Sequence, residues 1–265
     1  MATNFPGSAD SFTNPSAGSS LSSPSHADQH TNVNDAVEAI ESHLLDGYLY
    51  RQTVYFTSSG TFTKASYPWL RAVKVSVIGA GGGSGGVPST GGTDSGIAGC
   101  GGGGAGAERF ITDIAGLSAS ETITVGAGGA GGTSGGGGST GGSTVAFGMT
   151  AAGGAGGEAG VAQSSNTTRN CGNNGSMSGT YDLQKNGGNG TACKMLRAGG
   201  SVGSTSGIPG TSFLGGQLAE ARDNSGSSAG VIYGEGSRAG VSRANQGQRD
   251  GSAGADGIVI VELYA

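Results

Sequence analysis

The chain has 265 residues, of which 59 are glycine, and only 12 % are charged, giving a formal net charge of −5. So thin a supply of large apolar side chains excludes an ordinary single-core enzyme, and so low a charge excludes disorder driven by self-repulsion. With 13 Lys+Arg against 18 Asp+Glu and no basic cluster, nucleic acid has no electrostatic footprint to meet.

No apolar run approaches a membrane span, and MATNFPGSADSF lacks the basic and apolar regions of a secretory signal. The glycines are unevenly spread. Gly7, Gly18, Gly47 and Gly60 precede residue 79, and 59 − 4 = 55 follow. Residues 1–30 are polar, rich in Ser and Pro, and read as an extended arm suited to lying along a neighbouring subunit.

Residues 31–47 form the helical segment. Val33, Val37, Ile40 and Leu44 follow a four-three-four spacing, the seam of a coiled coil. Asn32 stands where an N-cap belongs, with Gly47 as the stop. A helix of about 20 Å is too short to stand alone in water, so it docks on its own domain or bundles with identical copies. The narrow seam favours the bundle. Extended backwards, it lands on His30 and His26, which in a three-fold bundle form rings of imidazoles able to hold a metal or an anion. Placed in the arm, the same histidines are merely solvated.

Residues 50–265 read as strands separated by glycine. Thr53–Phe56 and Thr61–Thr63 flank a hairpin-like turn at Ser59-Gly60. Val73, Val75 and Val77 alternate with Lys74 and Ser76 as a half-buried strand. Ala107–Ile114, Ile123–Val125 and Thr144–Phe147 are further candidates, and the apolar IVIVELY of Ile258–Tyr264 suits a central strand. The fold class is therefore mainly β: an extended arm, a short coiled-coil-like helix, and a strand-framed glycine-rich domain with polyglycine-II-like segments.

A strand followed by GAGG occurs at Ile78–Gly82 and again at Val125–Gly129, an irregular internal repeat. The first copy imitates the opening of a dinucleotide-binding unit. The helix that this mechanism requires cannot form from GGVPSTGGTDSG, so no nucleotide and no other cofactor is expected. Cys100, Cys171 and Cys193 are odd in number and scattered, suggesting neither a disulfide framework nor a CxxC metal site, although Cys171 and Cys193 could pair if close.

All three histidines, His26, His30 and His43, precede the strand-rich domain, so a Ser-His or Cys-His nucleophile pair inside it is impossible by count. A carboxylate pair such as Asp182 with Glu220 or Asp223 has no motif behind it, and enzyme function is not expected. Loops between glycine runs carry recognition instead. The receptor-contact candidates are Tyr181, Asp182, Lys185, Asn186, Tyr233, Arg238 and Arg243, which combine contact area with hydrogen bonding.

FPGSADSFTNPSAGSSLSSPSHADQHTNVNDAVEAIESHLL resembles the N-terminal module of tail proteins from long-tailed bacteriophages. TVYFTSSGTFTKASYPWLRAVKVSVIGAGGGSGG, ITVGAGGAGG and GADGIVIVELYA resemble the glycine-rich domain of phage minor tail and fibre proteins, leaving residues 160–250 unmatched. The resemblance implies a homotrimeric structural protein at the virion tail tip, assembled in the host cytoplasm. Residues 1–47 would join other tail or baseplate proteins, and the glycine-rich domain would face outward, towards a host-surface glycan or protein. Two other readings stand beside it: a secreted or cell-wall glycine-rich structural protein, and a tail-associated polysaccharide-degrading enzyme.

Overall fold

The computed structural model describes residues 26–265 apart from 199, 200, 217, 221 and 223, and leaves aside the side chains of 26–29, 43–46, 197, 198, 201 and 202. Most of the arm therefore lies outside the described residues, as do Asp223 and the side chains of His26, His43 and Leu44.

The helix α1 spans His26–Asp46, starting five residues earlier than the sequence suggests. Asn32 is thus a helix-interior residue, not an N-cap. The extended seam gains from the correction, because positions 26, 30, 33, 37, 40 and 44 now all fall on one helix of about 32 Å.

Among the described residues sixteen strands follow in chain order: β1 Tyr50–Phe56, β2 Gly60–Thr63, β3 Ala72–Ile78, β4 Ser95–Ile97, β5 Gly106–Ile111, β6 Ser120–Ile123, β7 Thr144–Ala146 and β8 Met149–Ala151, then β9 Val161–Gln163, β10 Thr167–Arg169, β11 Met177–Gly179, β12 Leu183–Lys185, β13 Cys193–Ala198, β14 Ser201–Thr205, β15 Val241–Ser242 and β16 Ile258–Tyr264. The frame is a five-stranded antiparallel sheet in the order β1-β16-β3-β5-β12. The last strand of the chain is indeed interior, paired on both sides. The expected hairpin at Ser59-Gly60 does not form. β1 matches the seven-residue β16, whereas the short β2 pairs with β6 and drops Phe62 into the core.

Strand alternation builds that core. Val73, Val75 and Val77 of β3 and Val259, Val261 and Leu263 of β16 point to one face, where Phe62, Ile123, Phe147 and Met149 cover them. The valine strand is more than half-buried: its other face also buries Ala72, Ser76 and Ile78, leaving Lys74 partly open.

Beyond Ile78 the glycines take over, and their hydrogen bonds have a period of three. The N–H groups of Gly79, Gly82 and Gly85 donate to the carbonyls of Ala105, Gly102 and Gly99. Those of Ala80, Gly83 and Gly86 donate to Gly142, Ser139 and Gly136, and those of Gly81, Ser84 and Val87 to Ala255, Ser252 and Arg249. One extended run thus addresses three antiparallel neighbours in rotation, as a helix of three residues per turn must. Its carbonyls turn to further neighbours: Ala80 and Gly83 accept from Gly154 and Gly157, Gly81 and Ser84 from Gly129 and Gly132, and Gly82 from Ser237. This is a polyglycine-II lattice with residues 79–87 at its centre.

Side chains are excluded by distance. A Cβ on Gly82 would lie 2.0 Å from the Ala155 oxygen, and one on Gly101 would lie 1.9 Å from the Gly82 oxygen. At the lattice edge the period reappears as burial: Gly126, Gly129 and Gly132 are buried while Ala127 and Ala130 are exposed. Alanine is thus admitted where a run faces solvent. The network also answers the entropic penalty of ordering glycine, since the central run leaves few of its backbone groups unpaired.

Candidate functional site

The structure brings part of the expected recognition set to one flank. Tyr181 packs, partly buried, against the sheet core. Asp182 is exposed; its N–H donates to the Glu108 carbonyl (3.0 Å) and its Oδ2 accepts the Phe110 N–H (2.7 Å), which fastens β12 to β5. Lys185 stands opposite Gly106 at the sheet edge, and Asn186 follows it, both exposed.

Two loops close over the same end of β5. A Cβ on Gly106 would lie 2.4 Å from the Phe213 Cβ, and one on Gly216 would lie 2.4 Å from the Ile232 Cδ1. The 213–216 loop therefore sits between β5 and the 231–234 turn, where Gly234 has φ +80°. The buried carboxylate of Glu235 shapes that turn by accepting the N–H groups of Val231 (2.8 Å) and Ile232 (3.2 Å). The result is an exposed apolar tip of Leu214, Val231, Ile232 and Tyr233 beside the polar edge strand.

The Arg238 guanidinium is engaged within the domain, and Arg243 is anchored through its backbone. Arg238 Nη1 donates to the Ala219 carbonyl (3.2 Å) and Nη2 to Ser228 Oγ (2.6 Å), tying Ala219 to Ser228. The Arg243 N–H donates to Asn224 Oδ1 (3.4 Å), while its carbonyl accepts from Thr90 Oγ1 (2.6 Å). The acids considered as a pair are also occupied separately: Asp182 binds Phe110, and Glu220 binds Arg222.

The helix presents its seam to solvent. Val33, Val37 and Ile40 are 57 %, 47 % and 46 % exposed, His30 is exposed as well, and no described strand packs along α1. Just past the helix lies a surface that periodicity did not reveal. Tyr48 meets Phe110 edge-on (centroids 5.5 Å apart), Phe110 meets Tyr264 (5.6 Å), and Tyr264 meets Tyr50 (6.0 Å). Tyr50, Phe110 and Tyr264 come from β1, β5 and β16, and Tyr48 from the segment just before β1, so the sheet register brings them together. Beside them on that face Lys74 bridges Glu108 (3.4 Å) and Glu262 (3.8 Å).

The largest departure from expectation is the cysteines. Cys193 Sγ lies 3.7 Å from both Cys100 Sγ and Cys171 Sγ, and all three sulfurs fall within 4.8 Å of one another as free thiols. Each enters from a different glycine run or strand, so linear spacing could not show it. Every sulfur also takes the place of a lattice carbonyl as acceptor. Cys171 Sγ receives the Cys100 N–H (2.9 Å), Cys193 Sγ the Gly207 N–H (2.9 Å), and Cys100 Sγ the Ala239 N–H (3.4 Å). Hydrogen bonds from the Cys100 and Cys171 thiols, joined by that Gly207 N–H, lower the Cys193 thiol to about 4. Hydrogen bonding to Cys171 and Cys193, with burial, holds Cys100 well above the usual thiol range.

Residues 57–264 match the family of glycine-rich domains, a span that holds the lattice, the cysteine cluster and the five-stranded sheet apart from β1. No curated protein matches the chain.

Proposed function

Since the chain belongs to the glycine-rich domain family, we propose that it is a non-catalytic structural protein of a phage tail tip, trimeric through α1 and displaying its glycine lattice outward. The observation that carries this reading is the bare seam. Most helix stability in proteins comes from packing an amphipathic face, yet Val33, Val37 and Ile40 repeat on one stripe that the described chain leaves about half exposed. Identical helices meeting on an axis bury that stripe without any new sequence. His30, one turn before Val33, then falls on the same axial row. Residues 1–47 serve assembly with other tail proteins in the host cytoplasm.

The lattice supports the outward half of the proposal. A core of backbone hydrogen bonds is rigid without large side chains, so its loops can vary freely while their positions stay fixed. The apolar tip of Leu214, Val231, Ile232 and Tyr233, edged by Asp182, Lys185 and Asn186, offers such loops to a host-surface glycan or protein. Light scattering tests the assembly. The full chain should have a mass of about 76 kDa, three times 25.3 kDa, and a chain lacking residues 1–47 should fall to a monomer. A full-length monomer would overturn the trimer.

A further inference from the structure

We propose that Cys100, Cys171 and Cys193 form a three-thiolate site for a thiophilic d10 metal ion, Zn2+ or Cu+. The first support is geometric. A tetrahedral ion with metal–sulfur bonds of about 2.3 Å needs its thiolates about 3.8 Å apart. Cys193 lies 3.7 Å from each of the other two, and the third separation is within 4.8 Å. A small adjustment of the half-buried Cys171 closes the triangle.

The second support is the second shell. Thiolate ligands are tuned by N–H donors to sulfur, and here each of the three sulfurs has one, from Cys100, Gly207 and Ala239. Apolar packing of cysteine calls for no such donors. The Cys171 and Cys100 thiols also lie within reach of the Thr191 carbonyl (2.8 Å) and the Gly207 carbonyl (3.1 Å), so each can share its proton between Cys193 Sγ and a carbonyl, and a metal displaces the thiol protons. Binding releases these protons to solvent, and the carbonyls lose only weak partners.

The third support is the surroundings. Val87, Ile97, Met195, Ala239 and Val241 bury the site on the inner side, which excludes competing hard ligands and suits a soft cation. Cys171 is only partly buried and leaves one approach from solvent. With no fourth protein ligand among the clustered groups, the ion is three-coordinate or takes its last ligand from solution. A metal here would cross-link residues 100, 171 and 193, which belong to three separate stretches of the chain, and so stiffen the region that the β15-β4-β9 and β10-β13-β14 sheets flank.

The test uses the full chain purified under reductant and loaded separately with Zn2+, Cu+ or Co2+, with metal content measured after extensive dialysis. One ion per chain, together with a thiolate-to-cobalt charge-transfer band, is the expected result. Cys171→Ser should abolish both, since Cys171 lies at the rim and its loss leaves the buried core intact. Cys193→Ser should do the same. Chelator added to the loaded wild-type chain should lower its melting temperature, a readout that needs no variant to fold. Wild-type protein that retains no ion, with all three thiols free to a thiol reagent after denaturation, would overturn the proposal. So would a Cys171–Cys193 disulfide in protein that had been kept reduced during purification.

Discussion

Replacing Gly82 by alanine adds one methyl group at the centre of the lattice, and the structure fixes what that methyl meets. The new Cβ would lie 2.0 Å from the Ala155 oxygen and 2.6 Å from its carbon, both backbone atoms that cannot swing aside. Relief requires the 152–158 run to move, which strains the Gly102 N–H to Ala155 bond (2.9 Å). Two further bonds hang on Gly82 itself: its N–H to Gly102 (2.9 Å), and Ser237 N–H to its carbonyl (3.1 Å). Overpacking of this kind costs about 1–3 kcal/mol, and each weakened hydrogen bond about 1 kcal/mol. Alanine returns about 0.4–1 kcal/mol by restricting the unfolded chain. The sum is a loss of about 3–5 kcal/mol, which at roughly 2–4 °C per kcal/mol lowers the melting temperature by about 6–20 °C. Gly247→Ala is the control, because a Cβ there meets nothing within 4 Å. Thermal melting followed by circular dichroism reads both. Equal melting temperatures for the two variants would refute the lattice reasoning, because a flexible linker is indifferent to which glycine is changed.

The three-residue period makes a paired prediction at the lattice edge: Ala130→Gln should stay within about 0.5 kcal/mol of the parent, whereas Gly129→Ala, whose Cβ would lie 2.1 Å from the Ser139 oxygen, should melt clearly lower. Glu235→Ala removes the acceptor of the Val231 and Ile232 N–H groups; it should destabilise by about 1–3 kcal/mol and raise proteolytic nicking at residues 231–234. The Glu158 carboxyl is held below its ordinary value by the Asn170 N–H and side-chain amide. Its stabilising contribution is therefore full above the ordinary carboxylate range and fades as pH falls through the lowered value. Glu158→Gln should accordingly melt lower than the parent at neutral pH and match it in strong acid. Val37→Asp places a charge on the helix seam and should shift the light-scattering mass from trimer to monomer while the lattice keeps its melting temperature.

What the sequence revealed follows from which interactions are local. The IVIVELY run is apolar on both faces at its start, which suits a strand inside a packed domain, and β16 is paired on both edges; the alternation of Val73, Val75 and Val77 marked a second strand, which the register places beside it. The glycine runs announced a backbone-packed core through composition. Their neighbours stayed hidden, because glycine has no side chain to encode which run it meets. The hairpin at Ser59-Gly60 failed because turn chemistry competes with strand length, and the seven residues of β1 found a longer partner in β16. The helix start was misplaced because a cap-like Asn32 occurs within a stretch whose heptad pattern already extends to His26. Contacts between distant runs carried no local signal at all. Cys100, Cys171 and Cys193 meet only after the lattice is folded, as do Tyr48, Tyr50, Phe110 and Tyr264.

Amide hydrogen exchange across residues 79–87 tests the central claim, that the glycines build a rigid scaffold, most directly. Every N–H of that run donates to a backbone carbonyl at 2.7–3.1 Å, so the whole run should exchange as slowly as β3, through global opening. Exchange at the rate of an unstructured glycine chain, beside a protected β3, would contradict the lattice and with it the outward scaffold.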